Sequence, residues 1–133
     1  MAYIAPERFR DPRSFDARCD IYSLGVLLWE LTSGHAAFAR APQDVQLVVS
    51  ILNGRRENPI EGTPKMYQRL YERCWNTDPK MRPSLNEILS TLATIQETLS
   101  EDQLAMMARS DEDTDFEESV SIPRPTSEYH TVI

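Results

Sequence analysis

Apolar residues along the chain recur on a helical period, and no stretch carries the two-residue alternation of a half-buried strand. The densest apolar run is Asp20-Ile-Tyr-Ser-Leu-Gly-Val-Leu-Leu-Trp-Glu-Leu31. Ile21, Leu24, Leu28 and Leu31 share one helical face, Tyr22, Val26 and Trp29 lie on others, and Leu27 fills the space between. A helix that is apolar on nearly every side is a buried helix. This one is too short, and too soon bounded by Asp20 and Glu30, to cross a membrane. The pattern predicts a central helix from about Cys19 to Thr32 with other elements wrapped around it. Asp16 or Ser14 caps its start, and Gly34 stands just past its end, where a left-handed cap is wanted.

Upstream, Pro6, Pro12 and scattered arginines read as an extended segment with one short helical turn after Pro6. Downstream, residues 34–42 form a loop, and Pro42 suits a first helical turn. Val45, Val48, Val49 and Leu52 then follow the i, i+3, i+4, i+7 rule, and Gly54 closes that helix. Thr63-Pro64 opens a third helix with its stripe at Tyr67, Leu70, Tyr71 and Cys74. Asn76, Asp78, Pro79 and Pro83 mark a loop. Ser84 with Glu87 makes a capping box for a fourth helix, whose inward residues are Leu85, Ile88, Leu89, Leu92 and Ile95. Ser100 with Gln103 makes a second box, predicting a separate short helix over 100–109. The domain is all-α: a central buried helix with about four surrounding helices.

Charge divides the chain. Of its 133 residues, 41% are apolar and 26% charged, ordinary values for one soluble domain. Residues 101–133 hold nine acidic and two basic residues, so the whole net charge of −7 lies there. Residues 1–99 read as the domain and 110–133 as a disordered, acidic, Ser/Thr-rich tail. The balance argues against nucleic acid as a partner. Cys19 and Cys74 lack metal-ligand spacing and read as reduced thiols, and no apolar leader precedes the first arginines. A cytoplasmic protein is the expectation. His35 and His130 have no partner set for general-base or metal chemistry and read as solvated.

Four separated motifs stand in order: Ala5-Pro6-Glu7; Asp20-x-x-Ser23-x-Gly25 opening the central helix; Cys74-Trp75; and Asp78-Pro79-x-x-Arg82-Pro83 before the fourth helix. Together, over about residues 1–97, they resemble the C-terminal lobe of a eukaryotic protein kinase from the end of the activation segment onward, most closely in the tyrosine-kinase and tyrosine-kinase-like groups. The resemblance implies that Glu7 pairs with Arg82, tying the activation segment to the helical core. It implies that Asp20 accepts backbone N–H bonds from a catalytic loop. It implies further that Leu27 and Leu31 support the base of the hydrophobic spines, and that Met1, Ala2, Tyr3 and Ile4 are the remnant of a substrate-docking loop.

Phosphoryl transfer in that family needs a Gly-rich loop, a strand Lys paired with a helix Glu, a catalytic Asp and Asn, and a metal-binding Asp. The family places all of these before Ala-Pro-Glu, and the chain contains no Gly-x-Gly-x-x-Gly, His-Arg-Asp or Asp-Phe-Gly. The expectation is a protein kinase domain protein whose family uses ATP and magnesium to phosphorylate protein Ser/Thr (or Tyr) hydroxyls. This polypeptide alone has no catalytic, cofactor-binding or metal residues and is inactive. It reads as a gene-model fragment, a truncated product or an expression fragment. The alternative is a non-catalytic interaction module whose partners are protein substrates or regulators. Thr131-Val132-Ile133 also fits a C-terminus of the kind PDZ domains capture.

Overall fold

The computed structural model describes residues 1–112, which form five α-helices and no strand among the described residues. The chain divides into two units, Met1–Leu99 and Ser100–Ile133, and the packing below is that of the first.

Helix α1, Pro6–Arg10, is a short helical segment begun by Pro6, whose missing N–H costs nothing at a helix start. Helix α2, Ala17–Ser33, starts on Asp16, whose carboxylate accepts the Arg18 backbone N–H at 2.8 Å. It ends at Gly34, which takes φ 72° and donates its N–H to the Glu30 carbonyl at 2.9 Å. That left-handed conformation is strained for any residue with a Cβ. Cys19, Ile21, Tyr22, Gly25, Val26, Leu28 and Trp29 are buried, so α2 is the core helix that its apolar run predicts.

Burial on every side is not achieved. Leu24 is half-buried, Leu27 is 47% exposed and Leu31 is 78% exposed. These three stand at i, i+3 and i+7 and form one flank. The surrounding elements cover the other flanks and leave this one to solvent.

Helix α3, Val45–Leu52, begins at Asp44, which accepts the Leu47 N–H at 3.1 Å. Two expectations are corrected here. Pro42 lies outside the helix, because the Asp44 side chain supplies the cap two residues later. The buried stripe is Leu47 and Ile51, while Val45 and Val49 face solvent. Six of the eight residues of α3 are apolar, so two stripes satisfy helical spacing and packing chooses between them.

Helix α4, Lys65–Cys74, lies against α2 and buries Leu70, Tyr71 and Cys74. The contact is close because residue 25 is glycine. A Cβ there would sit 2.6 Å from the Cys74 Cβ and 3.1 Å from the Trp75 nitrogen. The Tyr67 hydroxyl donates to the Leu28 carbonyl at 2.6 Å, and the Tyr71 ring packs edge-on against both Tyr67 and Trp75.

A 3-10 turn, Pro79–Met81, leads to helix α5, Leu85–Glu112. Ser84 caps it by accepting the Glu87 N–H at 3.2 Å. The Glu87 carboxylate does not fold back to complete the box; it accepts from Arg73 at 2.6 Å, an exposed pair worth little in water. Ile88 and Ile95 are buried and Leu92 is half-buried, but Leu85 and Leu89 are exposed rather than inward. The separate helix expected from Ser100 does not exist: α5 runs unbroken to Glu112. No glycine or proline interrupts residues 85–112, and a serine costs a helix interior only a few tenths of a kcal/mol, roughly. The tail expected from residue 110 therefore starts helical through Glu112. Residues 113–133, including the PDZ-type terminus, lie outside the described residues.

Candidate functional site

The loop after α4 turns back through Asp78, whose carboxylate accepts the Lys80 N–H, and delivers Arg82 to the base of α2. There Arg82 meets Glu7 from α1, 75 residues away in the chain. Nη1 donates to Oε1 at 2.6 Å and Nη2 to Oε2 at 2.9 Å, a planar fork on a carboxylate. The remaining donors of Arg82 reach the Asn76 carbonyl from Nε and the Arg18 carbonyl from Nη1, both at 2.9 Å. One buried guanidinium thus joins α1, the start of α2 and the loop before α5. The Cys19 thiol also donates to Glu7 Oε1, at 3.4 Å. Burial is the largest single influence and works to raise the Glu7 carboxyl, but the Arg82 hydrogen bonds and charge, a backbone N–H and the Cys19 thiol together hold the group below its ordinary value. Burial likewise raises the Cys19 thiol and pushes Cys74 up to about 11, so both stay protonated and unreactive at neutral pH.

The network extends further than its motif. Tyr22 is fully buried between two guanidiniums, with Arg82 5.1 Å and Arg56 5.2 Å from its ring centre. Such contacts add favourable quadrupole attraction. Arg56 also donates to the Ile51 and Trp75 carbonyls, both at 2.9 Å, and to Thr77 Oγ1 at 3.1 Å. It closes the ends of α3 and α4 together. Sequence reading leaves Arg56 in a polar loop, and nothing in its neighbours marks it out.

Of the remaining residues singled out in the sequence, Ala5 and Pro6 are buried, and Gly25 permits the α2–α4 approach. Asp20 is exposed, and its carboxylate accepts no hydrogen bond among the described residues. Met1–Ile4 lie beside α2: Ser23 Oγ donates to the Tyr3 carbonyl, and the Tyr3 hydroxyl donates to the Glu30 carboxylate, both at 2.6 Å. Ala2 is buried while Met1, Tyr3 and Ile4 remain exposed. Glu30 also accepts the Ala37 N–H at 2.7 Å.

The open flank of α2 borders a cavity of about 700 Å³ lined by Leu24, Leu27, Leu28, Leu31, Glu30 and His35, among others. Magnesium with a nucleotide would need oxygen ligands for the metal and donors for the phosphates. This wall is largely leucine, and its one carboxylate is already bonded to Tyr3 and Ala37. The residues here do not fit that group. Among the described residues, no cluster of three or more His, Cys, Asp or Glu side chains is placed to hold a metal ion.

The family profile described as "Protein tyrosine and serine/threonine kinase" matches residues 1–92. The chain belongs to this kinase family. Among known proteins, the Dictyostelium discoideum protein named "Probable LIM domain-containing serine/threonine-protein kinase" is 33% identical over 98 residues, covering 74% of this chain and 15% of that protein. The same organism's "Probable serine/threonine-protein kinase pats1" is 32% identical over 100 residues, 75% of this chain and 3% of that protein. Human mitogen-activated protein kinase kinase kinase 7 is 33% identical over 92 residues, 68% of this chain and 15% of that protein. The chain therefore spans less than a sixth of the length of each of these relatives. The family match agrees with the kinase motifs of the sequence and with their tyrosine-kinase-like character. The described helices agree with a kinase C-terminal lobe, and no described helix is long and apolar enough to cross a membrane.

Proposed function

We propose that residues 1–99 serve as the C-terminal-lobe portion of a serine/threonine protein kinase. They hold the end of the activation segment and present protein-docking surface, while the phosphoryl-transfer groups come from the family segments that precede Ala-Pro-Glu. The two-pronged Glu7–Arg82 pair carries this reading, because it joins two motifs 75 residues apart in the way an anchored activation segment requires. In this reading Ala5, Pro6 and Glu7 shape that segment, Gly25 and Arg82 seat it on the core, and Asp20 waits exposed for backbone donors. Met1–Ile4 border the path of a protein substrate. ATP and magnesium act in the complete kinase and not on this polypeptide, and the two buried free cysteines suit a reducing, cytoplasmic setting.

The test is transfer from radiolabelled ATP with magnesium to a generic protein substrate. The 133-residue chain is expected to give none above buffer; transfer that scales with chain concentration defeats the reading.

The open flank of exposed Leu27 and Leu31 beside half-buried Leu24 favours a second reading, a non-catalytic module that uses apolar surface to hold regulators or substrates. Detectable cellular accumulation of this chain, without a longer kinase product, would favour that second reading.

A further inference from the structure

A second cavity, separate from the Glu7–Arg82 network, opens between the loop after α2 and the segment after α3. It measures about 500 Å³ and is lined by His35, Phe38, Ala39, Arg40, Arg55 and Glu57, with Ala41 completing the wall. The walls are held firmly. Phe38 adopts φ 55°, a conformation rare for a residue with a bulky side chain. Its backbone N–H donates to a Glu57 carboxylate oxygen at 2.6 Å, and the Gln43 amide donates to its carbonyl at 3.1 Å. The Arg55 guanidinium lies 5.3 Å from the Phe38 ring centre. Persistent strain of this kind requires a surrounding structure that over-determines it.

The charges are unevenly matched. Neither Arg40 nor Arg55 forms a salt bridge with a carboxylate among the described residues, and both border the cavity. The one acid on the wall, Glu57, already accepts the Phe38 N–H. Glu57 repels any anion that enters, so a ligand must gain from both guanidiniums to bind. A carboxylate has two oxygens, enough for one guanidinium fork. A phosphoryl group carries close to two charges and three acceptor oxygens, enough to engage both. The volume exceeds what a free phosphate needs, and Phe38, Ala39 and Ala41 add apolar surface for flanking atoms. We propose that this cavity binds a phosphorylated serine or threonine of a partner polypeptide, with Arg40 and Arg55 as its phosphate ligands. The inference stands apart from phosphoryl transfer and holds whether or not the chain serves a catalytic assembly.

The test is an NMR titration of the full ¹⁵N-labelled chain with the peptide Gly-Ala-Ala-phosphoserine-Ala-Ala-Gly, following the amides of Ala39, Arg40 and Arg55. Saturable shifts at these amides are expected, and Arg40→Ala and Arg55→Ala should each raise the Kd about tenfold. Arg40 is exposed and makes no hydrogen bond among the described residues, so Arg40→Ala keeps the test intact even if losing the Phe38 contact unfolds Arg55→Ala. The proposal is overturned by no saturable shift, or by Arg40→Ala binding as tightly as the unaltered chain. Equal binding of the unphosphorylated peptide, of inorganic phosphate or of a single-stranded oligonucleotide also overturns it.

Discussion

Arg82 is buried with every nitrogen bonded, and its charge is matched by one partner, Glu7. Such a pair contributes less to net stability than the damage its disruption causes, because a lone buried cation has no water to replace the carboxylate. Glu7→Gln keeps the shape and removes the charge, and it should cost about 3 kcal/mol at pH 7. The pH dependence has a definite sign. The Glu7 carboxyl lies below its ordinary 4.5 in the folded chain, so its stabilisation is fully present above that value and is lost as pH falls through the folded one. Urea unfolding from pH 7 to pH 3 should therefore show the gap between the chain and Glu7→Gln narrowing below about pH 4.5. A constant gap would mean that the carboxylate charge does not hold the pair.

At the scale of elements, the α2–α4 contact sets the core. Gly25 allows two backbones to approach where a methyl group would strike Cys74 and the carbonyl of Tyr71. Both obstacles sit at the end of a packed helix, so neither moves cheaply. Gly25→Ala should lose about 1–3 kcal/mol in thermal or urea unfolding, despite the better helix propensity of alanine; equal or greater stability would mean that the helices slide apart freely. This scale also separates what the sequence made legible from what it did not. The α2 run, the Asp16 and Ser84 caps and the Gly34 stop have local causes, and each is readable from a few neighbouring residues. The phase of α3 is not, because six apolar residues in eight offer two stripes and only packing selects Leu47 and Ile51. The unbroken α5 escapes for a related reason: Ser100 and Gln103 have capping chemistry, but a cap acts only where the chain has already stopped. The partnership of Glu7 and Arg82 was legible through kinase motifs, not through spacing. The second guanidinium on Tyr22, from Arg56, carries no local signature.

For the folded unit of residues 1–99, the decisive feature is incomplete coverage. The apolar run of α2 has the composition of a helix buried on every side, yet Leu27 and Leu31 meet solvent along one flank beside an apolar cavity. An apolar flank of this kind is what the proposed docking of further protein would cover. The folded unit carries the anchoring and supporting helices of the kinase family, and this flank is the side of α2 that they leave open. The most direct measurement of this claim is fluorescence titration with an environment-sensitive hydrophobic dye, alongside near-ultraviolet circular dichroism to verify fixed packing. The chain is expected to retain its aromatic dichroism and bind dye, and Leu27→Gln with Leu31→Gln to abolish most of that binding without loss of packing. Dye binding unchanged by the double substitution, or absent from the unaltered chain, would contradict it.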